Sequence, residues 1–310
     1  MPVVRIRLSV IALVLAGVAC ADRSPAPARR DDALRAASVL RADAILIDEL
    51  GDSLHVGAPY RRIVSLDPTL TEILFAIGAG NKLVGRSHWD AWPAAALALP
   101  DLGPGIRPNV EAVLASRPDL VLLYASQDNR PAASRFRAAG VPTGAFRVDQ
   151  IDAFRRVTPI LGRLSGDTTL ARLTVDTVNR SLERVRTATA GRPRPKVLIP
   201  AWDTPLVVIG GGSFVSQLVD IAGGENVYGS SRERSPQVTL EDVVRRDPDV
   251  ILTGPERLGR YLTHPRWQTL RAVRARRVLP MDTAIVWRAS TRMGEAAASI
   301  ARQLHPGALP

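Results

Sequence analysis

The sequence predicts an α/β protein of two similar lobes joined by a long backbone helix. Three observations lead there. First, one phrase occurs twice: Pro108-Asn109-Val110-Glu111-Ala112-Val113 runs into Arg117-Pro118-Asp119-Leu120-Val121-Leu122, and Val238-Thr239-Leu240-Glu241-Asp242-Val243 runs into Asp247-Pro248-Asp249-Val250-Ile251-Leu252. In each copy a Glu stands seven residues before a Pro-Asp pair, and an apolar β-type run follows. One copy per half indicates two like halves, since a solenoid needs several short-period units. Second, β-type runs alternate with helical patterns in both halves, which favours parallel sheets with helices on their faces. Third, Leu170, Leu173, Val178, Leu182 and Val185 recur between the halves at roughly helical spacing. A helix of about 22 residues there is about 33 Å long, and one rigid helix limits how far two lobes can move.

The elements follow in order. Ile45-Leu46-Ile47 and Leu54-His55-Val56 flank Glu49-Leu50-Gly51-Asp52, the pattern of a small hairpin. Arg62–Leu66 is a β run. Asp67-Pro68-Thr69 then opens a helix, with Thr69 and Glu72 spaced as a capping box. Gly78-Ala79-Gly80 ends that helix and Leu83-Val84-Gly85 is the next strand. Helix 109–116, strand 120–124, helix 131–139, strand 141–147 and helix 151–163 complete the first lobe. The second lobe repeats the plan. Its strands are Val197-Leu198-Ile199 and Leu206–Ile209, with Gly210-Gly211-Gly212-Ser213 leading into helix 214–221 and a Gly223-Gly224 cap. Helix 239–246, strand 249–253, helix 266–274, strand 277–281 and helix 291–304 follow. The lobes are thus Rossmann-like, spanning 45–163 and 193–310, with the linking helix in 164–192.

The ends and the composition narrow the class. Arg5 and Arg7 precede the apolar run Leu8–Leu15, and Ala16-Gly17-Val18-Ala19-Cys20 closes it. Residues 1–20 read as a secretory signal, too short to span a membrane. Cys20, the single cysteine, stands where a lipoprotein signal ends, so lipidation there is expected; cleavage after Ala19 or Ala21 stays open. Residues 21–44 are rich in Ala, Arg, Asp, Ser and Pro and read as a flexible tether. The formal charge is +11, yet all but two of the 41 basic residues are Arg and they are scattered. Nucleic-acid binding needs a clustered basic face, so it is not expected. The four His, at 55, 88, 264 and 305, are too dispersed for a bare metal ion.

With these strings in place, the chain resembles the periplasmic binding proteins of the vitamin B12, haem and ferric-siderophore importers. The resemblance rests on Arg62–Gly80, Pro118-Asp119-Leu120-Val121, Gly212-Ser213-Phe214 and Ala222-Gly223-Gly224-Glu225-Asn226-Val227, in order over about 46–305. The vitamin B12 binders are the closest in spacing. It implies an ABC importer's substrate-binding component, a monomer, that takes a metal chelate from the cleft between its lobes to a permease. It implies further that Glu111 and Glu241 are the two lobe-top carboxylates that dock onto permease arginines. The bare reading of each Glu is a first-turn carboxylate favoured by the helix dipole.

Aromatic residues are scarce, which makes Trp89, Trp92, Tyr124, Trp202 and Trp287 conspicuous at predicted strand ends and loops. Strand ends of open α/β sheets are where ligands bind. Flat aromatic faces suit a planar macrocycle or a chelate shell. Trp89 and Tyr124 fall where vitamin B12 binders place pocket aromatics. Gly105 and Ser235 stand where those proteins can carry further tryptophans, and Ala284 where a polar residue can be used. The chelate therefore stays open among a corrinoid, haem and a ferric siderophore, with cobalt or iron carried by the ligand and no resident cofactor. Arg86 and Arg288, together with Arg107, Arg232, Arg234 and Arg292, offer guanidinium groups for anionic arms. His88, beside Trp89, is either an axial metal ligand or a polar loop residue.

Two rival readings remain at this level. A secreted enzyme could use Ser65, Ser213 or the Gly210–Gly212 loop as nucleophile or phosphate cradle, but neither a Gly-x-Ser-x-Gly elbow nor a Walker loop is present. A chelate-scavenging lipoprotein without a transporter would share the same sequence features.

Overall fold

The structure, a computed structural model, describes residues 44–309. The signal segment, Cys20 and nearly all of the 21–44 tether lie outside the described residues. The chain opens with an antiparallel hairpin, β1 (Ala44–Ile47) and β2 (Ser53–Val56). Its turn is held by Asp48, whose Oδ1 accepts from Leu50 N and Asp52 N at 2.9 Å each. Asp48 Oδ2 accepts from Ala145 N, tying the hairpin to the first sheet.

The first lobe contains β3 (Ile63–Ser65), α1 (Pro68–Ala76), β4 (Leu83–Arg86), α2 (Val110–Ala115), β5 (Leu120–Tyr124), α3 (Arg130–Ala138) and β6 (Thr143–Phe146). Its four strands are all parallel, in the order β4-β3-β5-β6. Then come α4 (Ile151–Ser165) and α5 (Thr168–Thr189), the latter an unbroken helix of 22 residues. The second lobe contains β7 (Lys196–Leu198), the antiparallel pair β8 (Pro200–Asp203) and β9 (Leu206–Val208), α6 (Phe214–Ile221) and β10 (Glu225–Asn226). It continues with α7 (Leu240–Arg246), β11 (Val250–Thr253), α8 (Leu258–Thr263), α9 (Arg271–Arg274), β12 (Val278–Pro280), α10 (Thr283–Val286) and α11 (Met293–Leu304). Its sheet is parallel, in the order β10-β7-β11-β12.

Numbered within each lobe, both sheets run second-first-third-fourth. The repeated phrase is the local cause. Asn109 and Thr239 cap α2 and α7, accepting from Ala112 N and Asp242 N. Arg117 and Asp247 then turn the chain through left-handed φ of 50° and 44°, and Pro118 and Pro248 follow. Asp119 and Asp249 finally accept main-chain N–H groups from the start of the lobe's first strand, fixing the third strand beside it. Each lobe has its own apolar core. Helix α5 packs against α4, α6 and α11. The α5–α11 crossing is close because residue 294 is Gly, where a Cβ would lie 1.9 Å from Ser181 Oγ.

Three expectations are corrected. Thr69 and Glu72 do not form a capping box: Asp67 is the cap of α1, accepting from Thr69 N at 2.7 Å and Leu70 N at 3.3 Å. Glu72 turns inward instead. The helix expected over 266–274 is broken, because Leu270 is extended, with a 3-10 turn at Pro265–Trp267 before it and α9 after it. That break lets Trp267 and Leu270 both enter the core, with Trp267 edge-on to Tyr261 at 4.8 Å. The strand at Leu206 pairs with β8 in a hairpin rather than joining the sheet, so Trp202 lies within a strand. Among the described residues, no helix is long and apolar enough to cross a membrane.

Candidate functional site

In a parallel sheet the crevice lies at the carboxyl ends of the strands where the order reverses, here between first and third. In the first lobe those ends are Leu66-Asp67 after β3 and Tyr124 of β5. They line a cavity of about 530 Å³ shared with Phe214, Trp287 and Arg288 of the second lobe. In the second lobe Ala201, in β8 three residues beyond the end of β7, and Gly254, directly after β11, line a cavity of about 820 Å³ with Trp202 and Trp287. A third cavity of about 800 Å³ adjoins both, sharing Asp149 and Phe214 with the first and Ala201 with the second. Trp287 lines all three. Both switch points thus open onto one cleft between the lobes.

Of the aromatics singled out in the sequence, Trp89, Tyr124, Trp202 and Trp287 line this cleft. Trp89 and Trp202 are 65% and 64% exposed, so their faces are available to a ligand. A buried network fixes the Trp89 loop: Asp90 accepts from Ser87 N (3.0 Å), Ser87 Oγ (2.8 Å) and Thr71 Oγ1 (2.8 Å). Trp92 lies elsewhere, beneath the Arg292 guanidinium at 4.5 Å from its ring centre. Arg86 is also outside the cleft lining, donating to Ser87 O at 2.9 Å and 3.6 Å from Asp101. Arg107 pairs with Asp128 and Arg292 with Glu295. His88 holds Asp101 through Nδ1 at 2.9 Å, edge-on to Trp89.

The Gly210–Gly212 run is a seat for a loop. Its three N–H groups donate to the carbonyls of Arg234, Tyr228 and Glu233 at 2.9, 3.1 and 3.2 Å. A Cβ at these positions would lie 2.3, 2.0 and 2.3 Å from the carbonyl oxygens of Glu233, Gly229 and Arg232. The donors that a phosphate cradle would need are therefore already engaged. The seated loop carries Arg232 and Arg234 into the cleft. Arg234 Nη1 donates to the Tyr124 hydroxyl at 2.7 Å and pairs with Asp149; the hydroxyl in turn donates to Asp149 Oδ2 at 3.0 Å. These contacts cross from one lobe to the other. Arg232 has no side-chain partner among the described residues.

Three wall residues, Asp67, Asp149 and Phe214, were not singled out in the sequence as parts of the site. Asp67, read only as part of a helix start, lies in the wall with its carboxyl pushed up to about 6 by burial, aided by repulsion from Asp90 and Asp149 and opposed by its two N–H bonds. Asp149 and Phe214 meet through Phe214 N to Asp149 O at 3.0 Å, a pairing no short-range pattern encodes. Burial likewise raises the Tyr124 hydroxyl's pKa. Away from the cleft, Glu111 and Glu241 are exposed in the first turns of α2 and α7. Glu111 is ion-paired with Arg135.

Two sheets of one topology that open onto a shared cleft define a two-lobe ligand receptor. The chain belongs to the periplasmic binding protein family, which it matches over residues 63–284. A vitamin B12-binding protein of Yersinia pestis is 31% identical over 194 residues, covering 62% of this chain and 69% of that one. The crystal structure of the periplasmic vitamin B12 binding protein of Vibrio cholerae matches with a TM-score of 0.70 at 25% identity, over 79% of this chain and 97% of that one. The periplasmic haem-binding protein of Roseiflexus sp. RS-1, in its apo form, shares the fold with a TM-score of 0.71 at 24% identity, over 80% and 99% of the two chains. The family is one of extracytoplasmic substrate-binding proteins, which gives this chain an extracytoplasmic location.

Proposed function

We propose that the protein is the substrate-binding component of an ATP-driven importer. It captures a metal chelate, namely a corrinoid, haem or a ferric siderophore, between its lobes and delivers it to the permease. The observation that carries this reading is the convergence of both switch points on one cleft rimmed by Trp89, Tyr124, Trp202 and Trp287. Planar aromatic faces gain most from a flat or chelate-shelled ligand, through area burial and stacking. Arg232, whose guanidinium has no partner among the described residues, suits an anionic or amide arm of such a ligand. The cobalt or iron arrives inside the ligand, and the protein keeps no resident cofactor. Trp92 and Arg86 serve in this reading as supports of the cleft wall.

Glu111 and Glu241 are the docking carboxylates, one per lobe, suited to a permease with two like halves. Arg135 engages Oε1 of Glu111, so a permease arginine would share this carboxylate or displace Arg135 from it. Acylated Cys20 and the tether would hold the protein, acting as a monomer, at a membrane surface. Charge reversal at both positions (E111K with E241K) tests the delivery step. Uptake should fall while the dissociation constant for the chelate stays unchanged; lost ligand affinity, or unimpaired uptake, would show that these carboxylates do not dock.

A further inference from the structure

Glu72 sits in the middle of α1 with only 4% of its surface exposed, and both of its side-chain hydrogen-bond partners among the described residues belong to the other lobe. Its Oε2 accepts a short hydrogen bond from Ser290 Oγ, and its Oε1 lies 3.4 Å from Arg288 Nη1. Ser290 is itself 1% exposed. The second terminal nitrogen of Arg288 crosses back to the first lobe and donates to the carbonyl of Trp89 at 3.1 Å. One guanidinium thus connects a buried carboxylate of α1 to the backbone of one cleft tryptophan, and its own backbone directly follows the other, Trp287. Burial raises the Glu72 carboxyl's pKa, and Ser290, Arg288 and Arg292 work against that rise. A carboxylate this deep is tolerated only with such partners.

We propose that Glu72 is a positioning residue for the ligand cleft. From the first lobe it grips Arg288 and Ser290 of the second, and so fixes where Trp89 and Trp287 stand relative to each other. The second cross-lobe contact, Arg234 with Tyr124 and Asp149, differs in kind. Its guanidinium is about half exposed, open to competition from a ligand, whereas Glu72 and Ser290 are buried and the Arg288 side chain is a quarter exposed. The latch holds the cleft aperture whether or not the cleft is filled.

Fluorine NMR of the 5-fluorotryptophan-labelled protein tests this without any ligand. The chain has five Trp, and Trp267, 5% exposed in the second lobe's core, serves as the internal control. Two variants are compared with the wild type. E72Q keeps an acceptor for Ser290 but removes the charge facing Arg288; R288K keeps the charge but loses the fork that reaches Trp89. Both should broaden or split the Trp89 and Trp287 resonances, the sign of exchange between arrangements, while Trp267 stays sharp and unshifted. Unmoved Trp89 and Trp287 signals in both variants would overturn the proposal. So would collapse of all five signals together, which would make Glu72 merely a stability residue. With haem or dicyanocobinamide as probe, E72Q should also raise the dissociation rate about tenfold. Only that arm rests on the ligand-capture reading: a wild type that binds neither probe counts against that reading, and the fluorine spectra still decide this one.

Discussion

Asp119 and Asp249 make the same hydrogen bond in the two lobes. Each carboxylate accepts from main-chain N–H at the start of its lobe's first strand, Asp119 from Arg61 and Arg62 and Asp249 from Lys196, at 2.8 Å in every case. Each also donates its own N–H back, to Arg62 O at 2.9 Å and Lys196 O at 2.8 Å. The Pro-Asp pair that recurs in the sequence is therefore a clamp that registers the third strand against the first. Replacing Asp119 by Ala should destabilise the fold by about 1–2 kcal/mol, and Asp249→Ala by about 1 kcal/mol, because two acceptor bonds are lost in one case and one in the other. Urea denaturation of each variant measures both values.

That clamp shows why much of the fold was legible. Caps, left-handed turns and Pro-Asp pairs are local, so residues 108–122 and 238–252 announced their structure and their kinship. Two aromatics of the cleft were legible for a related reason: Trp89 follows a strand and Tyr124 ends one, and strand ends converge in parallel sheets; Trp287 instead ends the short helix α10. What could not be read is long-range. Glu72 has the spacing of a capping box, and nothing near it in the chain announces partners at 288 and 290. Trp92 and Arg86 have the same local setting as Trp89, and only the packing turns them away from the cleft. Helix 266–274 failed because burial of Trp267 and Leu270 outweighed helical propensity.

The glycine seat predicts a directed disruption. A Cβ at Gly211 would lie 2.0 Å from Gly229 O and 2.8 Å from Ser231 O, both backbone atoms that cannot swing aside. Gly211→Ala should cost about 1–3 kcal/mol and displace the loop bearing Arg232 and Arg234. Thermal melting gives the first quantity. Loss of the Arg234–Tyr124 contact, seen in arginine side-chain NMR or a crystal structure, gives the second.

The pH dependence of stability has a traceable contributor in Asp67. Its folded pKa of about 6 lies above the ordinary value of 3.8, so the folded protein holds a proton that the unfolded chain releases between these values. Its charge therefore opposes folding at neutral pH, and the penalty fades as pH falls from about 6 to about 4. Asp67→Asn keeps an oxygen to accept from Thr69 and Leu70 and removes the buried charge. The variant should be more stable than the wild type at pH 7, by at most about 3 kcal/mol, with the difference vanishing near pH 4. Urea melts at the two pH values check the sign.

Ligand affinity should divide the candidate aromatics by position. Trp89→Ala and Tyr124→Ala should each weaken chelate binding by about tenfold or more, since each removes a face or edge from the cleft wall. Trp92→Ala should change affinity little, because that ring lies under Arg292. Isothermal titration of the three variants with whichever chelate binds the wild type makes the comparison.

The central claim is tested most directly by titrating residues 45–310 with cobalamin, cobinamide, haem and a panel of ferric siderophores. Tryptophan fluorescence follows the titration, and calorimetry serves as the check because coloured ligands absorb. The account predicts saturable, one-site binding of one of these chelates at about micromolar affinity or tighter. Absence of binding across the whole panel would contradict it and move the ligand outside metal chelates.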